Sequence, residues 1–279
     1  MIYLVRIRKM SEYILVDASY FIFFRVFALH IWWKNAKPDE TLGNPIENEE
    51  FVEKFKSTFE SKLYELKKKL KKKDAIFIIG KDCPRKHIWR TDLYPEYKQG
   101  RNEEKNVEAN IGSFFKLVEE EKLFEKAKVD HIVKLDKLEA DDCLALTCKY
   151  LKEQNKDNII TIITSDHDYI QLLKEYPTIK IINCKFKSLT DSKSYSGNPD
   201  MHLFYKIVMG DKSDNITPIF KKCGIKTAEK YYLDHNSFHE KLVYENKVEK
   251  YLLNKKLIDF NEIPNDLTDL FYKHIISVL

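Results

Sequence analysis

Short, continuously apolar segments, separated by stretches of helical periodicity, are the feature that most constrains the fold of this chain. Four such segments, at residues 13–16, 75–79, 131–133 and 159–163, are predicted to be buried strands. Helices are predicted between them, at 50–73, 103–121 and 138–153. Apolar strands that alternate with helices predict an α/β fold with a mainly parallel central sheet and helices on both faces.

The pattern becomes helical beyond about residue 195, so we predict two regions. Residues 10–195 would form the sheet region, and residues 196–279 a helical region. Met10 is itself a plausible start, and residues 1–9 are expected to be a dispensable extension. Nothing in the sequence approaches the roughly 20 apolar residues that cross a bilayer. Five cysteines without a Cys-x-x-Cys pair predict an intracellular, reducing compartment and not secretion.

Acidic residues follow the predicted strands or begin the predicted helices. Because the carboxyl ends of parallel strands meet at one edge of a sheet, these side chains are expected to lie close together. A further acidic group lies in the segment 210–215. The complete set is Asp17, Asp82, Glu139, Asp141, Asp142, Asp166, Asp168, Asp211 and Asp214.

Ionised carboxylates repel one another unless cations or protons neutralise them. A set of oxygen ligands without Cys or His favours Mg²⁺ or Mn²⁺ over Zn²⁺. Nine acids exceed the needs of one ion, so the set predicts a two-metal site suited to phosphoryl chemistry. Removing nine negative charges from the net charge of +4 leaves +13 for the rest of the chain, which suits a phosphodiester substrate.

Four segments in this order resemble the motifs of the 5′ nuclease family, which includes bacterial polymerase I 5′ nuclease domains, phage flap nucleases and eukaryotic flap endonucleases. They are ILVDAS at 14–19, EADD at 139–142, TSDHD at 164–168 and MGDKSDNI at 209–216. The resemblance covers about residues 13–265 and is greatest to the stand-alone phage enzymes, such as the RNase H of T-even phages. It implies a PIN-like catalytic region and hydrolysis of DNA with 5′ flaps or ends, or of RNA–DNA duplexes, in replication or repair.

The resemblance also implies roles for the acids. Asp17, Asp82, Glu139 and Asp141 would bind a first Mg²⁺, and Asp166 would lie near both ions. Asp168, Asp211 and Asp214 would bind the second, with Mn²⁺ able to substitute. Asp142 would complete the metal site, through water or by orienting a ligand. The predicted catalytic residues are Lys98, Asp141 and Arg90.

A basic stretch with interleaved aromatic residues follows Asp82, and by the resemblance residues 83–115 form the arch over a 5′ single strand. Positive charges neutralise phosphates and rings stack on unpaired bases. Composition alone leaves a second reading open, an exposed loop with its aromatic rings in the core. Lys98 is expected over the scissile phosphate, where it would stabilise transition-state charge. The predicted DNA contacts of the arch are Lys86, Arg90, Tyr97, Lys98 and Arg101.

The segment 223–230 resembles the helix–turn–helix element with which the family grips duplex DNA. Its predicted DNA contacts are Gly224, Lys226, Thr227 and Lys230. The family usually has Gly-x-Gly at the turn, whereas this chain has Lys222-Cys223-Gly224. The missing first glycine argues against the K⁺ ion often held there, since Lys adopts a left-handed conformation less readily than Gly.

Two alternatives remain open at the level of sequence. A PIN-type ribonuclease would share the acids but generally lacks the duplex-gripping element, and a catalytically inactive relative would lack some motif acids. The expected state is a monomer that binds nucleic acid and no membrane. Association with a single-strand binding protein or a sliding clamp is also left open.

Overall fold

The computed structural model describes residues 10–99 and 111–279. Within these ranges, five parallel strands form one sheet in the order β3-β2-β1-β4-β5. They are β1 (Glu12–Asp17), β2 (Ile76–Gly80), β3 (His131–Val133), β4 (Ile159–Ile163) and β5 (Lys180–Ile182). The first four confirm the predicted strands to within about one residue at each end. Strand β5 was not predicted, because Lys180 interrupts its short apolar run.

Helices cover both faces of the sheet, as predicted. Side chains of a strand point alternately to opposite faces, so Ile14 and Val16 pack in one apolar cluster and Leu15 in another. The helices are α1 (Ala18–Ala36), α2 (Glu49–Lys69), α3 (Trp89–Leu93), α4 (Ile111–Glu120), α5 (Leu123–Lys126), α6 (Ala140–Gln154), α7 (Pro199–Met209), α8 (Ile225–Leu233), α9 (His235–Tyr244), α10 (Val248–Ile258) and α11 (Asn265–Val278).

Helices α1, α2, α4 and α5 pack on the face that includes Val16, and helices α6 and α11 pack on the other. Helix α1 was not predicted, because apolar residues surround it on all sides and hide its period. Phe23, Phe27 and Ile31 are exposed although they lie on this apolar helix. Across the described ranges, no helix is long and apolar enough to cross a membrane.

Helices α7 to α10 form a third apolar cluster beside the carboxyl edge of the sheet. That cluster also contains Ile88 and Tyr97, so the segment after β2 packs on the helical region. The chain then returns to the sheet, because Phe271 and Ile275 of α11 are buried in the cluster around α6. The predicted helical character of residues 196–279 is confirmed. The boundary near residue 195 stays a prediction.

Candidate active site

Three of the predicted acids begin a helix or helical turn directly after a strand or loop. Asp17 ends β1 and accepts a hydrogen bond from the backbone N–H of Tyr20, 3.0 Å away, in α1. Asp166 accepts from the N–H of Asp168 at 2.9 Å, and Asp211 accepts from the N–H of Ser213 at 2.8 Å. A carboxylate is favourable at a helix N-terminus, which explains why these positions tolerate acids.

The tightest group of acids lies at the start of α6. Glu139, Asp141 and Asp142 can bring one ligand oxygen each within 4.8 Å of one another, and no other such group of three occurs among the described residues. Gly80 allows the start of α6 to pack closely on β2, because a side chain at this position would clash: an added Cβ would lie 2.5 Å from Leu144 Cγ. Asp82, two residues after β2, accepts the backbone N–H of Ala140 at 2.8 Å and thereby joins the group.

Asp142 is turned into the protein interior and away from solvent. Its side chain is fully buried, and its two oxygens accept hydrogen bonds of 2.7 Å from Nη1 and Nη2 of Arg90. Trp89 Nε1 donates to the same carboxylate at 3.0 Å. Because both oxygens of Asp142 are engaged by Arg90, its predicted part in the metal site, through water or by orienting a ligand, stays a prediction. Asp142 orients the start of α6 by accepting the N–H of Glu139.

Two predicted DNA contacts of the arch are placed differently from the prediction. Arg90 is 2% exposed and Tyr97 is 4% exposed, so neither reaches a strand on the surface. The Tyr97 hydroxyl donates to Glu139 at 3.0 Å and lies 3.1 Å from Asp214. The alternative reading, with aromatic rings in the core, holds for Trp89 and Tyr97. These side chains support the acids from behind.

Lys98 lies at the front of the same network. Its ammonium donates to Glu139 and lies 3.8 Å from Asp214, and its backbone N–H donates to the Asp214 carbonyl at 2.9 Å. Lys98 therefore links the start of α6 to the loop after α7. Of the other arch residues, Lys86 is exposed. Arg101 lies outside the described residues, as does residue 100 beside it.

Lys206, on α7, was missed by the sequence analysis. Its ammonium forms ion pairs with Asp168 and with Asp211, the latter at 2.9 Å. These are two of the three acids predicted for the second ion. A single lysine inside the apolar run 203–209 was the available signal, because a charge on a buried helix face is rarely tolerated without a partner.

The acids carry more negative charge than the lysines neutralise. Burial, with Asp82 next in importance, raises the pKa of Asp17 to about 7. Burial and the adjacent Glu139 raise the pKa of Asp141 well above its ordinary value. Burial also raises the pKa of Asp168 to about 7 despite Lys206. For Asp211, the opposing effect of Lys206 and Ser213 exceeds that of burial and brings the pKa to about 2.

This charge pattern fits divalent cations. Asp17 and Asp141 are destabilised as anions by burial and by neighbouring carboxylates, and a bound cation relieves both effects. The donors are carboxylate oxygens, which Mg²⁺ and Mn²⁺ prefer. Asp17 lies close enough to Asp82 and Asp166 for both carboxylates to raise its pKa. The Ser19 hydroxyl donates a hydrogen bond to Asp82. Thr164 Oγ1 lies 3.4 Å from Asp17 and accepts a hydrogen bond from the N–H of Asp166 at 3.1 Å.

The predicted duplex-gripping element lies on the surface. Gly224, Lys226 and Lys230 are exposed, and Thr227 is half-buried. Helix α8 begins at Ile225, and no side chain within the described ranges caps its N-terminus. Lys222 has a φ of 58°, so the turn keeps a left-handed residue at this position although Lys replaces the first glycine of the Gly-x-Gly turn. Whether K⁺ binds there stays a prediction.

Residues 12–198 match the family model described as the 5′-3′ exonuclease N-terminal resolvase-like domain. DNA polymerase I of Streptococcus pneumoniae (strain R6) is 31% identical over 188 residues, which are 61% of this chain and 20% of the polymerase. Ribonuclease H of Enterobacteria phage T4 is 30% identical over 207 residues, covering 67% of this chain and 65% of that protein. The match thus spans a fifth of the polymerase's length.

Solved structures with the same fold come from T5. The T5 D15 flap endonuclease, in a pseudo-enzyme–product complex with DNA and metal ions, has a TM-score of 0.65 and 18% identity. The alignment covers 96% of this chain and 98% of that one. The T5 5′-exonuclease with divalent zinc ions also has a TM-score of 0.65 and 18% identity, over 96% and 99% of the two chains.

Proposed function

Because this chain belongs to the family of the 5′-3′ exonuclease N-terminal resolvase-like domain, we propose that it is a structure-specific 5′ nuclease. It would hydrolyse phosphodiester bonds at 5′ flaps or ends of DNA, or in RNA–DNA duplexes. The observation that carries the proposal is the group of carboxylates at the carboxyl edge of the sheet, with Lys98 between Glu139 and Asp214. Active sites of open α/β sheets lie at this edge.

Two Mg²⁺ ions are the proposed cofactors, with Mn²⁺ as a substitute. When bound, a metal pair supplies a water of lowered pKa and stabilises the departing oxygen. Asp17, Asp82, Glu139 and Asp141 would hold one ion, Asp168, Asp211 and Asp214 the other, and Asp166 would lie near both. T5 structures of this fold are described with divalent metal ions, which supports the assignment.

The chain's own residues would position the substrate and stabilise charge. Lys98 presents an ammonium group beside the acids, where it would stabilise negative charge on the phosphate as the bond breaks. Arg90 and Tyr97 fix Glu139, so its carboxylate is held in one orientation. Lys226 and Lys230 are exposed on α8, where they would contact the phosphates of the duplex.

Cleavage of end-labelled substrates tests the proposal. A 5′-flap, a nicked duplex and an RNA–DNA duplex should each be incubated with the protein in Mg²⁺, in Mn²⁺ and in EDTA, and the product lengths mapped. We expect products with defined 5′ boundaries in either metal and none in EDTA. Undiminished cleavage in EDTA would overturn the two-metal proposal. Cleavage of single-stranded RNA alone would favour a PIN-type ribonuclease.

Asp141→Asn is the matched variant for this experiment. We expect it to lose turnover by about 100-fold or more while DNA binding persists, because one ligand is removed and the fold is retained. Asp157→Asn, which changes an exposed aspartate at the opposite edge of the sheet, should cleave as the natural chain does. If neither the natural chain nor Asp157→Asn cleaves any substrate, although both bind DNA, the chain is an inactive relative.

A further inference from the structure

A groove between α1 and α2 lies apart from the candidate active site. It has a volume of about 360 Å³ and is closed at one end by the turn that follows β5. None of the nine predicted metal ligands lines it. The side chains that matter below are Phe24, Arg25, Trp32, Thr58, Glu65 and Phe186.

Arg25 is a buried cation that lacks a carboxylate partner. It is 4% exposed, and its Nη2 donates to the Thr58 hydroxyl at 2.8 Å. Its Nε is buried and has no hydrogen-bond acceptor, and no ion pair among the described residues includes it. Burial lowers the pKa of Arg25, so the fold disfavours its charge. A buried, unpaired guanidinium destabilises a protein unless an anion compensates it.

The neighbouring charges compensate Arg25 only in part, because burial lowers the pKa of Arg25 by more than Glu65 raises it. Glu65 is the acid in the groove, and it forms ion pairs with Lys62 at 2.7 Å and with Lys69. These hydrogen bonds lower the pKa of Glu65 to about 2. Lys54 adds a further positive charge at the rim. The groove therefore has four cations and one anion, and its potential attracts a negative ligand.

Aromatic rings form the other part of the lining. Phe24, Trp32 and Phe186 are half-buried, so each keeps part of its ring surface exposed. Lys54 Nζ lies 5.0 Å from the Trp32 ring centroid, and Lys69 Nζ lies 5.2 Å from that of Phe186. Rings beside cations bind nucleotides, because bases stack on the rings while phosphates contact the cations. A volume of about 360 Å³ lies within the range of small-molecule sites.

We propose that this groove binds a nucleotide, with its phosphate at Arg25 and its base against the aromatic rings of Trp32 and Phe24. The ligand would be either a free mononucleotide or the phosphorylated end of a single strand. Phe186 also borders a second cleft, lined by Ser165 and His167 beside Asp166. Phe186 is thus shared by the groove and by a cleft that lies next to Asp166 of the candidate active site. The site itself does not depend on the proposed nuclease function.

Calorimetric titration in EDTA tests the proposal without cleavage. The ligands are dAMP, deoxyadenosine, inorganic phosphate and a tetranucleotide with or without a 5′-phosphate. We expect dAMP or the phosphorylated tetranucleotide to bind at least about tenfold more tightly than deoxyadenosine or phosphate. Preference for dAMP identifies a free nucleotide as the ligand, and preference for the tetranucleotide identifies a strand end. If neither binds, or if phosphate alone binds as tightly, the proposal is overturned.

Variants locate the binding. Arg25→Gln should weaken nucleotide binding about tenfold or more, since glutamine lacks the positive charge and the paired N–H donors that the guanidinium offers a phosphate. Lys68→Gln makes the same charge change on α2 outside the groove and should bind normally, as should Lys98→Ala at the candidate active site. Binding that Arg25→Gln leaves unchanged, or that Lys98→Ala abolishes, would assign the nucleotide to another site.

Stability separates a ligand-binding Arg25 from a structural one. Without a nucleotide, Arg25→Gln should unfold at the same temperature as the natural chain or higher, because it removes a buried charge that the fold compensates only in part. A marked fall in Tm would show that Arg25 is structural and would overturn the proposal. Trp32→Leu provides a second, independent test. It should reduce the preference for dAMP over phosphate, and an unchanged preference would exclude stacking on Trp32.

Discussion

At the residue scale, two lysines determine how the acidic edge is held together. Lys98 links Glu139 to Asp214, and Lys206 links Asp168 to Asp211. Each ammonium lies between carboxylates from separate segments, so each acts as an internal counter-ion. Lys98 was predicted from its motif, whereas Lys206 belongs to no motif and was found only in the structure.

Lys98→Ala should lower the turnover number by about 100-fold while changing the Kd for a 5′-flap only a few-fold. A group that stabilises transition-state charge affects the rate more than ground-state binding. Single-turnover cleavage and a separate DNA-binding titration in Ca²⁺ would measure the two quantities. Lys156→Ala, an exposed lysine at the opposite edge of the sheet, is the control. Equal losses of affinity and turnover would make Lys98 an ordinary phosphate contact.

Asp17→Asn should gain stability relative to the natural chain as the pH rises, provided that metal is absent. Burial and Asp82 raise the Asp17 pKa from 3.8 to about 7. The stability that protonated Asp17 contributes is therefore present below about pH 4 and lost as the pH rises through about 7. Urea unfolding in EDTA at several pH values measures the difference between the two proteins. Asp39→Asn, an exposed change, is the control for the substitution itself, and a difference that does not change with pH for Asp17→Asn would contradict the pKa shift.

At the element scale, α8 and its preceding turn are the proposed duplex contact. Replacing Lys226 and Lys230 with Ala should weaken binding to plain duplex and reduce the salt slope by about one unit for each phosphate that is no longer neutralised. Fluorescence anisotropy over a range of salt concentrations measures both effects. Lys156→Ala with Lys180→Ala, exposed lysines at the opposite edge of the sheet, should leave them unchanged. A parallel loss in both double variants would indicate one undivided basic surface.

At the scale of the whole molecule, Arg90 joins the helical region to the acids. Its Nε donates to the Leu257 carbonyl of α10 at 2.8 Å, while its Nη atoms bind Asp142 and Glu139. Arg90→Met should therefore lower the free energy of unfolding by about 3 kcal/mol or more, since it leaves the buried Asp142 carboxylate without a cation. Lys86→Met should change it little. If Arg90→Met instead weakens DNA binding without loss of stability, the surface prediction was right and the buried placement wrong.

The sequence by itself determined the sheet, its parallel strands and the convergence of acids on one edge. These features depend on local patterns, because apolar runs form strands and the residues that follow them meet at the carboxyl edge. The tertiary structure decided which side chains face that edge. Arg90 and Tyr97 share their segment with exposed residues, yet the packing of that segment on the helical region buries them in one network with Asp142. Burial depends on contacts between residues far apart in sequence, such as Arg90 with Leu257, and a local pattern contains no record of those contacts.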